Sequence, residues 1–247
     1  IDGNNYSTTL IGEQLWMSEN LRVSRYSNGE AITNTTNNNQ EWSSTNSGSY
    51  GELNGFIHYN SYAADDERGI CPEGWHIPSE NDFRELEMFL GVSELEANST
   101  GSFNRGADYA IGSQLAGNSE NITWPNTVLA SNQEFGSSGF DALKTGSRTA
   151  NGSFDGEAET GFWLTDGQVR IIYHNTLGAR NGGWTLRHGW QVRCLADNPI
   201  LYTQIASGPT NTNLTAGTHT FEHTVTDAYG ATHTDAVTIT VLPEPND

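Results

Sequence analysis

The sequence predicts an α+β fold, with one main helix set among many short antiparallel strands. Three observations carry this. A single segment, Ser79 to Gly91, has helix punctuation at both ends. The apolar runs elsewhere are short, alternating or β-branched, and cut by Gly, Asn and Ser. After Asp197-Asn198-Pro199 the composition shifts, and a strict period-two stretch follows from Gly217.

In chain order, Thr8–Ile11 is the first strand. Residues 27–49 carry repeated Asn/Thr clusters and a single tryptophan, which makes a long polar loop anchored by Trp42. Gly55–Tyr59 is the next strand. At Pro78-Ser79-Glu80-Asn81-Asp82, Ser79 is an N-cap with an acid three residues on. Phe83, Leu86 and Leu90 then share one face, and Gly91 is a natural stop, so this helix runs for about three turns. Val92–Asn98 is a weaker helical stretch. Phe162–Thr165, Val169–Tyr173 and Trp190–Leu195 read as strands. From Gly217 to Val241 the alternation surrounds an Asp227-Ala228-Tyr229-Gly230 turn, which predicts a β-hairpin with Val237, Ile239 and Val241 on one face. The expected domains are 1–197 and 198–247, the second too short for a complete sandwich of about 100 residues.

Thirty acids against eleven bases give a net charge of −19. Such a surface repels phosphate backbones and anionic lipids, which excludes nucleic-acid and membrane-surface partners. Lys144 is the only lysine, and the arginines are scattered singly. Seven Trp, nine Tyr and nine Phe supply large buried areas from few positions. No apolar run approaches the ~18 residues of a membrane span. The chain begins at Ile1 with no signal-peptide pattern, as a monomeric module within a longer protein would.

Cys71 and Cys194 can form one bridge in an oxidising compartment, or stay as two buried thiols in a reducing one. A zinc site using Cys71 and His76 lacks a second spaced pair.

The densest supply of oxygen ligands is residues 151–160. There Asp155, Glu157 and Glu159 alternate and would project to one side of an extended segment, with Asp166 just past the following strand. Calcium needs six to eight oxygens, and a bound cation would relieve the repulsion between these acids. The spacing is not that of an EF-hand, and a solvated acidic loop is the alternative. Between Arg170 and Arg187, the residues His174, Asn175, Arg180, Asn181 and Trp184 stand among glycines, which suits a ligand loop on a rigid scaffold. An arginine beside a calcium ion could hold a ligand carboxylate. Arg170 and Arg187 themselves are expected to pair with surface acids. His219 and His223 read as hairpin residues. No nucleophile elbow, His-Glu-x-x-His helix or phosphate-cradling Gly loop occurs, and the reading is non-catalytic.

Several motifs in order carry a family resemblance: Asp2-Gly3-Asn4-Asn5-Tyr6, Ile11-Gly12-Glu13-Gln14-Leu15-Trp16-Met17-Ser18-Glu19-Asn20-Leu21, Tyr50-Gly51-Glu52-Leu53, Cys71-Pro72-Glu73-Gly74-Trp75-His76-Ile77-Pro78, Gly139-Phe140-Asp141-Ala142-Leu143 and Gln191-Val192-Arg193-Cys194. Residues 2–197 thereby resemble the Fibrobacter succinogenes major paralogous domain, a bacterial extracellular family similar in fold to C-type lectins. The resemblance implies a C-type lectin-like domain, a Cys71–Cys194 disulfide, and a central strand at Phe162–Thr165 followed by ligand-binding loops. The 217–241 hairpin is similar to the closing strands of immunoglobulin-like repeats in bacterial adhesins. The whole resembles ligand-binding modules of giant, calcium-rich repeats-in-toxin adhesins, which act in cell adhesion and biofilm formation.

These readings together give the expectation of a secreted, cell-surface adhesin module. It would bind calcium through Asp155, Glu157, Glu159, Asp166 and Asn126, and recognise a short peptide, such as a C-terminus on a surface protein, through Arg180, Asn181, Trp184, His174 and Asn175. A calcium-dependent glycan lectin is the alternative, and a structural spacer the second. Trp124-Pro125-Asn126 departs from the lectins' Glu-Pro-Asn or Gln-Pro-Asp tripeptide by replacing a ligand with Trp, and reads as a packed Trp beside a turn.

Overall fold

The computed structural model describes residues 2–99, 104–155 and 158–197, together with the strand backbones at 217–226 and 232–241. The chain divides into two compact units, Ile1–Asp197 and Asn198–Asp247.

The first unit opens with β1 (Thr8–Ile11) and β2 (Gln14–Met17), a hairpin turned by Gly12 at φ +62°. Then come β3 (Thr33–Asn34), α1 (Asn39–Ser44), β4 (Ser49–Leu53), β5 (Phe56–Tyr59) and α2 (Ser61–Ala64). β6 (Trp75–His76) leads into α3 (Glu80–Phe89), followed by α4 (Glu94–Ala97) and α5 (Ile111–Leu115). The remaining strands are β7 (Ser147–Arg148), β8 (Phe154–Asp155), β9 (Glu159–Trp163), β10 (Gln168–Tyr173), β11 (Ala179–Gly183) and β12 (Leu195–Ala196). The fold is mixed α+β with several small, mainly antiparallel sheets, in the orders β1-β2-β12-β6, β3-β4-β5, β7-β8 and β11-β10-β9. Only the β3–β4 pairing is parallel among these strands.

α3 is the one helix of more than six residues among the described ones. Ser79 and Asp82 close a reciprocal capping box at its start, and Gly91 at φ +110° follows its end. The weaker helical stretch is the single turn α4, capped by Ser93. The polar loop at 27–49 contains β3 and α1, and Trp42 anchors it: the ring is fully buried and its Nε1 donates to the Thr149 carbonyl at 2.9 Å. The β4–β5 connection is Asn54-Gly55, both at positive φ (53° and 82°), the two-residue turn that matches strand twist.

Two strand expectations shift. The strand expected at Phe162–Thr165 is β9, which starts earlier and stops at Trp163, because Leu164 N–H turns to the Gln168 carbonyl and Thr165 N–H to that of Pro78. The run Trp190–Leu195 is not one strand. Trp190 exchanges hydrogen bonds with Tyr59, Gln191 N–H reaches Gly161 O, and the Val192 and Cys194 carbonyls accept from Leu21 and Met17. Residue by residue, this segment stitches separate sheets together.

The β9–β11 sheet separates two apolar cores. Strand alternation sends Trp163, Val169 and Ile171 into a core with Tyr26, Tyr59, Trp190 and Val192. Phe162, Leu164, Ile172 and Ala179 point the other way, into a core with Trp16, Phe83, Leu86 and Phe140. The sheet–α3 contact holds a buried charge network. Glu87 pairs with Arg105 at 2.9 Å and with Arg170 at 3.0 Å, and Glu80 contacts the same two arginines at 3.3 and 3.1 Å. Arg170 thus pairs with acids at an internal interface, not with surface acids as expected; it is fully buried. Arg187 pairs with no acid among the described residues and instead donates to Thr45 O and Asn46 Oδ1.

Cys71 and Cys194 form a disulfide across a sequence separation of 123. A structural disulfide places the chain in an oxidising, extracytoplasmic compartment. No helix among the described residues is long and apolar enough to cross a membrane.

The second unit shows β13 (Gly217–Thr226) and β14 (Thr232–Val241), paired antiparallel over ten positions from Gly217↔Val241 to Thr226↔Thr232. The expected turn at 227–230 and the side chains of Val237, Ile239, Val241, His219 and His223 lie outside the described residues.

Candidate ligand-binding site

Arg180 of β11 sits opposite Ile171 of β10, which sits opposite Gly161 of β9. Alternation therefore puts Arg180 on the same sheet face as Glu159 and Tyr173. Gly161 is a gap in that face. A Cβ there would lie 2.5 Å from Trp190 Cε3, so only glycine lets the Trp190 indole lie flat on the strand. His188 stacks on Trp190 with centroids 5.1 Å apart and planes 27° apart, and Trp184 meets both rings edge-on at 5.5 and 5.8 Å. The Arg180 guanidinium lies 4.3 Å from the centre of the Trp184 ring. Trp190 is buried, whereas Arg180, Trp184 and His188 are half-buried. The result is an aromatic ledge with a cation on it.

Two carboxylates border this ledge. The Ser147 hydroxyl donates to Glu159 Oε1 at 3.3 Å, and Ser147 is the β7 partner of Asp155. Burial raises the Glu159 pKa; the Ser147 hydrogen bond opposes this, the Asp155 charge adds to it, and Arg180 offsets part. Burial also pulls His188 down to about 4 against the attraction of Asp155, so at neutral pH its ring is an uncharged stacking partner.

Of the predicted oxygen ligands, Asp155 and Glu159 come together, and Glu157 lies outside the described residues. Asp166 does not join them. It sits at φ +60° in a turn beyond the far end of β9, on the order of 15–20 Å along the strand from Glu159, and lines a groove with the 69–77 segment. Asn126 is exposed in a turn whose next residue, Thr127, donates its hydroxyl to the His174 carbonyl, while His174 N–H donates to Ala158 O at 3.0 Å. Asn126, His174 and the exposed Asn175 therefore belong to the Glu159 end of the sheet. Among the described residues no three His, Cys, Asp or Glu side chains converge to hold an ion.

Arg180 and Trp184 are thus in contact, as one recognition surface requires. Asn181 is not part of it: the next residue along β11, it points into the opposite face, is 7% exposed, and leaves its Oδ1 without a hydrogen bond among the described residues. The His174 Nδ1 is engaged with Ala158 O at 3.1 Å. Trp124 is buried and donates Nε1 to Ala142 O at 3.0 Å, the packed tryptophan expected beside a turn. Sequence reasoning missed His188 and the supporting roles of Gly161 and Trp190. The spacing Trp184, His188, Trp190 was the available signal, but it spans a turn and follows neither helical nor strand period.

A family model described as the Fibrobacter succinogenes major domain matches residues 10–195. No curated protein and no solved structure matches the chain.

Proposed function

We propose that this chain, which belongs to the Fibrobacter succinogenes major domain family, is a non-catalytic recognition module of an adhesin-like secreted protein that binds short peptide segments. The observation that supports this is the half-buried Arg180–Trp184–His188 ledge on a buried Trp190. Tryptophan and arginine are the commonest energetic anchors of protein recognition, and here a sheet sandwiched between two cores holds them in place. Calcium belongs to the same reading: Asp155, Glu157 and Glu159 would hold an ion, and that ion with Arg180 would attract a ligand carboxylate. The C-type lectin-like fold and immunoglobulin-like second unit are part of this proposal.

A glycan is the second reading, favoured by the half-buried Trp184 ring next to two carboxylates and an uncharged imidazole, the groups on which a sugar ring stacks and to which its hydroxyls donate. Titration of the protein with peptide and glycan libraries, with and without a calcium chelator, separates the readings. The expected result is peptide binding that weakens on chelation and falls at least about tenfold in Trp184→Ala. Exclusive glycan hits would replace the peptide reading, and binding indifferent to chelator would remove calcium. Absence of any ligand would leave a structural spacer.

A further inference from the structure

A cleft of about 510 Å³ opens between the β4–β5 turn, the 121–123 loop, the 144–146 segment and β8 (Phe154–Asp155). Its size is in the range that encloses one or two small-molecule rings. Phe56 and Phe154 line it, giving apolar surface on which a ring could rest. Asn54 and Asn121 stand around the same opening, exposed, and their side chains make no hydrogen bond among the described residues. They are polar groups that the fold does not use.

Lys144 is the most informative lining residue. It is the only lysine in a chain of net charge −19, it is half-buried, and it makes no ion pair or hydrogen bond among the described residues. Thirty acids are available in this chain, yet Lys144 lines the cleft with no carboxylate within ion-pair distance among the described residues, although Asp155 lines the same cleft. The floor beneath is rigid: Thr145 O is held by the buried His58 imidazole at 3.2 Å, and the Phe154 ring packs against that imidazole at 5.3 Å. The lining therefore combines one cation, the Asp155 carboxylate, directional amide groups and aromatic faces on a fixed base. A ligand that answers all four has one carboxylate for Lys144, several hydroxyls, some of which donate to Asp155, and a compact ring.

We propose that this cleft binds a sugar acid of the hexuronate class, with Lys144 receiving the carboxylate, Asn54 and Asn121 the ring hydroxyls, and Phe56 and Phe154 the apolar ring edge. This site shares Asp155 with the border of the Trp184 ledge but uses neither Trp184 nor Arg180, and it does not depend on the peptide reading.

Because Lys144 is the only lysine, protein labelled with 15N-lysine shows one reporter amide signal. Titration with glucuronate and galacturonate should move that signal saturably. The methyl esters of both acids and neutral glucose and galactose should bind at least about fivefold more weakly, the loss of one charge-assisted contact. By a label-free titration, Lys144→Gln should weaken hexuronate binding by about tenfold, Lys144→Arg should retain most of it, and Trp184→Ala should leave it unchanged. The proposal is overturned if the acids and their esters bind equally, if neither acid binds at tens of millimolar, or if Lys144→Gln binds like the wild type.

Discussion

Four of the arginines, Arg105, Arg148, Arg170 and Arg193, are at most 2% exposed, and their burial is met in more than one way. Arg148 has no acid partner among the described residues; it donates to Thr35, Asn39 and Gly152 oxygens and lies 4.2 Å from the Trp42 ring centre, which ties the polar loop to β7. Burial holds its pKa down to about 10. Two histidines carry a sharper consequence. Burial lowers both His58 and His188 from 6.5 to about 4. The unfolded chain takes up these protons near pH 6.5 and the folded chain only near 4, so stability falls as pH drops through that window. The slope reaches at most about 1.4 kcal/mol per pH unit for each histidine. Carboxylates held low, such as Glu19 at about 2, are lost only below about 4.5, so the upper part of the window belongs to the histidines. Denaturant midpoints measured from pH 7 to 5 should fall steadily in the wild type and less steeply in His188→Gln; parallel slopes would contradict this assignment.

At the scale of elements, α3 is fastened to the β9–β11 sheet by charge as well as by Phe83 and Leu86. Glu87 is fully buried between Arg105 and Arg170. Glu87→Gln would leave two buried guanidiniums short of a counter-charge and should destabilise the first unit by about 3–5 kcal/mol, read from chemical denaturation. A change under about 1 kcal/mol would mean that water or Glu80 compensates. α3 was legible in the sequence because its signals are local: a cap, an apolar face and a stopping glycine all fall within thirteen residues, Ser79 to Gly91. Its charge network was not, because arginine reads as a surface residue until a partner 18 to 90 positions away is placed beside it. The end of β9 and the partners of Trp190–Leu195 were hidden for the same reason. Extended backbone is a local property, whereas the choice of neighbour is not. In the candidate site, Arg180 and Trp184 could be picked out by residue type, but the separation of Asn181 from them follows from β11 being a strand with period two.

At the scale of the molecule, burying four arginines and one glutamate makes the surface more acidic than the formal −19 suggests. That surface costs self-repulsion, which raises the importance of covalent closure. The Cys71–Cys194 bridge closes a loop of sequence separation 123, which the chain-entropy model values at about 5 kcal/mol. Reduction should therefore lower the melting temperature of the first unit by about 10–20 °C in a calorimetric scan. A shift of only a degree or two would show that the two cores alone set its stability.

The same bridge also decides how the unit would behave under tension. A pull applied at Asp2 and Asp197 passes through the sulfur–sulfur bond, so everything between Cys71 and Cys194, including both proposed binding surfaces apart from the β4–β5 hairpin residues Asn54 and Phe56, lies in a bypassed loop that carries no load. On the order of 400 Å of contour length is thereby withheld from extension.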